Sequence, residues 1–220
     1  MKKLIITTII ACVYSFSASA NGVNVGISGQ MGLFTATGSE TQTNNSGEAT
    51  ASDKHSDTEI GAAGYASVFV EGTLNDRFMI GIDYVPSPLE SDAVESIRLD
   101  KTTSATAAHS ENKVQVDFED LTTFYVGLMV SDSAYIKAGM VTVDVNTDET
   151  LATGSSYGNT SLDGTMVGMG YHYAADSGLF VRLEGNYMTF DSASLTSNDN
   201  TIKLKSLDGV TGKLSIGRSF

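Results

Sequence analysis

The chain has 220 residues and an acidic balance of 13 Lys and Arg against 26 Asp and Glu, a formal net charge of −13. This charge argues against nucleic acids and anionic membrane surfaces as partners. After the first 20 residues no apolar run reaches about 18 residues, which excludes a helical membrane protein.

The first 20 residues, MKKLIITTIIACVYSFSASA, have the pattern of a secretory signal. Two lysines precede an apolar stretch, and Ala18 and Ala20 form an A-x-A cleavage site. A lipoprotein signal at Cys12 is the alternative, but it would leave almost no apolar region before the cysteine. We therefore predict a cleaved signal peptide over 1–20 and a mature domain over 21–220. That domain contains no cysteine, so its stability must come from hydrogen bonding and packing.

Apolar and polar residues alternate through most of the mature chain, which predicts strands with one apolar and one polar face. Eight such runs lie at about 22–37, 59–73, 77–87, 113–130, 134–146, 164–175, 178–191 and 201–220. In the second run Tyr65 and Phe69 compete with neighbouring valines for the outer face. In the fifth run the apolar set changes parity near Met140 and Val141, which a β-bulge would explain.

The connections between these runs alternate strictly between short and long. Short turns fall at 75–76, 131–133 and 175–177, and long polar segments at about 38–58, 87–112, 147–163 and 192–200. Tight turns and both termini would then lie at one end and the long loops at the other. This layout predicts an all-β fold, an eight-stranded antiparallel up-and-down transmembrane β-barrel. A secreted β-sandwich is the alternative, but its dry core would not accept Arg182 and Glu184.

The signal sequence, the eight amphipathic strands, the alternating connections and the terminal Phe220 together resemble small bacterial outer-membrane β-barrels of the OmpA/OmpX or opacity-protein type. The resemblance covers residues 21–220. It implies an integral outer-membrane protein, a monomer, with periplasmic termini and extracellular long loops. Its implied surroundings are outer-membrane lipids and lipopolysaccharide.

In that family the last strand is read by the outer-membrane assembly machinery, to which periplasmic chaperones deliver the chain. By resemblance Leu214, Ile216 and Phe220 would carry this assembly signal. Arg218 departs from the family pattern, which commonly has an aromatic residue at that position. Its stem can lie on lipid while its guanidinium reaches the interface.

An eight-stranded barrel encloses about enough space for its own side chains. Inward-facing charges of both signs therefore predict a paired polar network that closes the lumen, with a gated proton or ion path as the alternative. The network residues are Asp83, Arg182, Glu184 and Lys213, with Asp117, Glu119 and Lys137 as further candidates. Aromatic residues near strand ends predict interfacial girdles, formed by Phe78, Tyr84, Phe124, Tyr171, Tyr173 and Tyr187.

Catalysis is not predicted, and neither is a cofactor or a metal site. The natural general bases near neutral pH are His55, His109 and His172. A lipid A-modifying enzyme would combine a histidine with a serine and an acidic residue, as in His109-Ser110-Glu111, but adjacent residues of an extended chain point apart. We predict a structural or surface-interaction role, with a narrow porin-like channel for ions or small solutes as the alternative and the enzyme as a weaker one.

Overall fold

The computed structural model describes residues 22–42, 53–90, 94–101, 107–150, 156–197 and 200–220. The predicted signal peptide lies outside these residues. Within the described ranges no helix is long and apolar enough to cross a membrane.

All regular structure in the described ranges is β-strand. The strands are β1 (Gly22–Gln42), β2 (Asp53–Leu74), β3 (Phe78–Tyr84), β4 (Leu89–Glu90), β5 (Val94–Lys101), β6 (Ala107–Met129), β7 (Ala134–Thr150), β8 (Thr160–Ala174), β9 (Leu179–Phe190), β10 (Ala193–Ser197) and β11 (Asn200–Ser219). Eight of them form an antiparallel ring in the order β1-β2-β3-β6-β7-β8-β9-β11, which β1 and β11 close. The predicted eight-stranded up-and-down barrel is confirmed.

The three remaining strands extend this ring. β4 and β5 pair with β6, and β10 pairs with β11. They follow irregular residues at 85–88 and 191–192, so they continue β3 and β9 away from the tight turns. Much of the polar sequence expected to form long loops is therefore strand: β1 runs to Gln42, and β2 already begins at Asp53. Threonine hydroxyls hydrogen-bond across the strands here, between Thr37 and Thr58 and between Thr196 and Thr201, so the ladder is stabilised without an apolar face.

The tight turns lie at the expected places. Asn75 and Asp76 both have positive φ, 52° and 51°. Two consecutive left-handed residues form the hairpin turn whose twist matches the flanking strands. The end of the barrel that carries the turns at 75–77, 131–133 and 175–178 is here called the tight-turn end, and the opposite end the long-loop end.

A register shift interrupts the β6–β7 ladder between Glu119 and Thr122. The one extra residue lies in β6, where Asp120 has a φ of 55°, and β7 stays in register with β8 throughout. The bulge predicted in β7 near Met140 and Val141 is therefore wrong. The apolar pattern of β7 changes parity because the lumen itself becomes apolar there, where the inward residues Val141, Val143 and Val145 are buried.

The outer face of the barrel is apolar, with Val25, Ile27, Met31 and Leu33 exposed along β1. On β2 the sequence left open whether the aromatic residues or the neighbouring valines face outward, and in the structure the aromatic residues face inward. Tyr65 and Phe69 are buried in the lumen, whereas Val68 lies on the outer face.

The first and last residues of the barrel hold the ring closed. The Val23 amide donates to the Phe220 carbonyl at 3.1 Å, and the Phe220 amide donates to the Val23 carbonyl at 2.9 Å. The chain end therefore belongs to the ladder.

Within the described residues, one part of the wall has no β-ladder between neighbouring strands. β2 pairs with β3 only over Val68–Leu74. Beyond that point β4 and β5 pair with β6, and none of their described residues pairs with β2. The resulting gap between residues 53–67 of β2 and the β4–β5 segment is here called the seam.

Candidate functional site

Successive inward residues of β9 show how the lumen is layered. From the tight-turn end they are Phe180, Arg182, Glu184, Asn186, Met188 and Phe190, all buried. Above Phe180 the series passes from charged to polar to apolar. The lumen therefore has a charged lower part, toward the tight turns, and an apolar upper part.

The lowest charged cluster is built around Glu71. Arg182 donates two hydrogen bonds to its carboxylate, at 2.8 and 2.7 Å. Asn24 Nδ2 and Tyr125 Oη donate to the same carboxylate, each at 2.9 Å. Arg182 Nε donates to His172 Nδ1 at 2.9 Å. Glu71 is only 1% exposed and Arg182 4% exposed, so the pair is compensated by hydrogen bonds rather than by water.

A second cluster lies above the first. Lys137 Nζ lies 2.6 Å from Glu184 Oε1, and Lys213 Nζ lies 3.7 Å from Glu184 Oε2. Lys213 also donates to Asp83. Gln30 Nε2 makes a long hydrogen bond of 3.4 Å to the same Asp83 carboxylate. Glu184 thus bridges two lysines.

The two clusters together contain three cations and three anions: Arg182, Lys137 and Lys213, and Glu71, Asp83 and Glu184. The four residues predicted for the lumen network all lie inside. Asp83, Glu184 and Lys213 share the upper cluster, whereas Arg182 pairs with Glu71 in the lower one.

Of the further candidates, only Lys137 joins these ion pairs. Asp117 and Glu119 flank Phe118, which packs against the apolar cluster of the lumen. Because neighbouring residues on a strand point to opposite faces, both acids point away from the lumen. Sequence reasoning missed Glu71, although it has the same parity as Tyr65 and Phe69 and would have followed from placing them inward.

Above the charges the lumen is filled by an apolar cluster, which was not expected. Its buried members are Tyr65, Val85, Leu121, Tyr125, Val141, Val143, Val145, Leu162, Met166, Met188, Phe190 and Leu207. The charges below and this cluster above both fill the lumen with side chains.

Glycines let aromatic rings lie flat against the inner wall. A Cβ on Gly170 would lie 2.5 Å from the ring of Tyr135, and one on Gly81 would lie 2.5 Å from the ring of Tyr125. The rings in turn support the charges: Lys137 Nζ lies 5.0 Å from the centroid of the Tyr125 ring. Packing and charge are therefore coupled in the lower lumen.

Five of the six predicted girdle residues are exposed on the outer face: Phe78, Phe124, Tyr171, Tyr173 and Tyr187. Tyr84 differs. It is 7% exposed, and its hydroxyl donates to Asp120 Oδ1 at 2.6 Å. Asp120 lies in the β6 bulge beside Tyr84. The Tyr84 hydroxyl is therefore hydrogen-bonded within the protein and is not exposed on the outer face. The prediction of Tyr84 as an exposed girdle residue is wrong.

Leu214, Ile216 and Phe220, the predicted assembly signal, are all exposed on the outer face of β11. Arg218 lies between the last two, with its guanidinium 5.4 Å from the centroid of the Phe220 ring. The outer face of the end of β11 is therefore an exposed row of Leu214, Ile216, Arg218 and Phe220 side chains.

No group of three or more His, Cys, Asp or Glu side chains in the described part is placed to hold a metal ion. The side chains of His55 and His109 lie outside that part. His172 is occupied by its bond from Arg182 and by ring contact with Phe180, at 5.0 Å between centroids.

No protein-family model and no curated protein matches the sequence. Among solved structures the chain is similar to the outer membrane protein OprG from Pseudomonas aeruginosa, with a TM-score of 0.50 and 13% identity. The match covers 92% of this chain and 97% of that one. The chain has the fold of a small outer-membrane β-barrel.

Two further structures are similar at lower TM-scores. The outer membrane protease OmpT from Escherichia coli matches with a TM-score of 0.43 and 10% identity, over 91% of this chain and 97% of that one. Ail, the attachment invasion locus protein of Yersinia pestis, matches with a TM-score of 0.38 and 8% identity, over 87% and 99%.

Proposed function

We propose that this protein is an integral outer-membrane barrel with a structural or surface-interaction role, and that its lumen does not conduct. The observation that carries this proposal is the filling of the lumen. Ion pairs occupy its lower part and the apolar cluster its upper part. A solute crossing the barrel along its axis would have to break buried ion pairs, which is costly.

The outer face supports the membrane part of the proposal. Large apolar side chains are exposed on it at many positions, including Met31, Met169 and Leu183. A surface of this kind is stable in lipid and not in water. The tight-turn end, where β1 begins and β11 ends, would face the periplasm. The long-loop end would face the exterior. Lipopolysaccharide would contact the outer face, and the assembly machinery would act on the last strand during insertion.

Planar-bilayer recordings test the closed lumen. The purified protein should show no large, stable conductance, while a general porin measured in the same bilayers provides the positive control. Sustained porin-sized currents would replace this proposal with the channel function.

We propose no catalytic role. Of the three histidines, His172 is the one whose surroundings the structure describes, and its Nδ1 accepts the Arg182 hydrogen bond instead of lying beside a nucleophile. Incubation with lipid A and analysis by mass spectrometry should leave the lipid unchanged. A change in its acyl chains or phosphates would contradict the proposal.

The seam favours a second candidate function, lateral release of small apolar solutes. On β1 the exposed apolar face continues to Leu33, whose partner on β2 is Ala62. The seam begins just above Val68, and it therefore starts at a height where the outer face of the barrel is still apolar. A solute entering the apolar cluster from outside would reach the lipid without crossing the charges.

Dye uptake distinguishes this candidate from a purely structural role. If the seam releases apolar solutes, cells that contain the protein should take up a small apolar dye such as 1-N-phenylnaphthylamine faster than cells that lack it. Leu121→Glu places a charge in the apolar cluster and should remove the gain, whereas Val126→Thr on the outer face should not. Equal uptake with and without the protein would exclude lateral release.

A further inference from the structure

A small cavity lies at the boundary between the upper charge cluster and the apolar cluster. Its volume is about 10 Å³. Asp83 and Lys213 border it on the charged side, and Leu121 and Met166 border it on the apolar side. A cavity that holds one water molecule needs roughly 10–15 Å³ on this measure. The space therefore suits one water-sized molecule.

Two buried polar atoms of residues that line this cavity have no hydrogen-bond partner among the described residues: Tyr65 Oη and Asn186 Oδ1. The two residues are only 8% and 4% exposed. Asn186 Nδ2 is used by a bond of 3.3 Å to Thr211 Oγ1, which leaves the carbonyl oxygen of the amide to find its own donor. Buried polar groups in native proteins are almost always paired, with protein or with ordered water.

The chemistry of the lining selects the ligand. Asn186 Oδ1 can only accept a hydrogen bond, whereas the Tyr65 hydroxyl can donate or accept. An anion could not satisfy the Asn186 oxygen and would lie near the Asp83 carboxylate. A metal cation would lie near Lys213 and Lys137, which also borders the cavity. A neutral molecule that both donates and accepts fits this lining.

We propose that this cavity binds one water molecule, which donates to Asn186 Oδ1 and shares a hydrogen bond with Tyr65 Oη. The water lies between the charged lower part and the apolar upper part of the lumen. Gly168 leaves room for the arrangement, because a Cβ there would lie 2.2 Å from Asn186 Oδ1. Two cavity residues, Tyr65 and Val85, lie beside the lower end of the seam.

A high-resolution crystal structure of the whole protein tests the site directly. One water-sized peak within hydrogen-bond distance of both Tyr65 Oη and Asn186 Oδ1 is expected. An empty cavity would overturn the proposal. So would an anomalous peak at this position after a bromide soak, because it would identify an anion.

Stability gives a second, independent readout. Tyr65→Phe removes the hydroxyl and should raise the unfolding equilibrium constant about fivefold, the equivalent of one hydrogen bond of about 1 kcal/mol. Tyr125→Phe, which removes the direct bond to Glu71, provides a comparison with a known partner. A Tyr65→Phe variant as stable as the parent would show that the hydroxyl has no bound water. If this variant does not fold, the wild-type crystal structure decides alone.

Discussion

At the scale of single residues, the buried pair of Arg182 and Glu71 is the contact whose loss should matter most. Arg182→Ala would leave a carboxylate that is 1% exposed without its bidentate partner. We expect a loss of about 3–5 kcal/mol in the free energy of unfolding, because an uncompensated buried charge remains. Urea unfolding in lipid vesicles measures it. Arg77→Ala, at an exposed turn, is the matched control, and equal stability of the two variants would show that the lumen is wet.

A second prediction at this scale concerns glycines that face aromatic rings. Gly170→Ala would place a Cβ 2.5 Å from the Tyr135 ring, which is fully packed in the lumen. Overpacking of this kind costs about 1–3 kcal/mol. Gly185→Ala is the control, since no atom of the described residues lies within 4 Å of its Cβ position. The same urea titration should separate the two variants, and a Gly170→Ala protein as stable as Gly185→Ala would contradict the packing described.

Individual side chains also show how far sequence reasoning reaches. Alternation alone placed Asp83, Arg182, Glu184 and Lys213 inside, because parity along a strand is local information. It could not assign Glu71 to Arg182. The two are 111 residues apart, and their contact depends on the register accumulated around the ring. The proposed water between Tyr65 and Asn186 depends on the exact positions of their side chains around a small cavity, and no sequence pattern contains that information.

At the scale of elements, the last strand carries the clearest prediction. Deleting Phe220 removes both backbone hydrogen bonds to Val23 and an outward ring at the closure. Assembly in cells should suffer more than refolding in detergent, because the family resemblance assigns this end a recognition role. Outer-membrane levels measured by fractionation test this, with Phe220→Tyr as the control that keeps an aromatic end. Unchanged levels for the deletion would remove the proposed signal role.

Element boundaries were harder to predict than element number. The turns at 75–77 and 175–178 follow from local chemistry, such as the left-handed pair Asn75 and Asp76. The strand ends do not follow from local chemistry. Beyond the barrel the strands continue as polar hairpins, which have no apolar face and therefore no alternating pattern in the sequence. The sequence predicts a bulge in β7, whereas the structure has it in β6. The apolar pattern of β7 changes parity because the lumen lining changes from charged to apolar along this strand.

At the scale of the whole molecule, ring closure predicts heat-modifiable migration. Pairing of β1 with β11 leaves the lower wall without an edge from which unfolding can start. Unboiled protein in detergent should therefore migrate differently from boiled protein in electrophoresis. Identical mobility, together with helical circular dichroism, would contradict the barrel.

The pairing of the two terminal strands also sets the order of events in biogenesis. Ser28 on β1 bonds to Ser215 on β11 across 187 residues of chain, so the contacts that close the wall are almost the longest that the polypeptide can make. Non-local contacts of this kind are slow to form, because loop-closure entropy opposes them until both ends are present. The ring thus cannot close cotranslationally. The first strand therefore stays unpaired on one edge until the last strand has been synthesised, and this free edge is the part of the unfinished barrel most open to pairing with another chain.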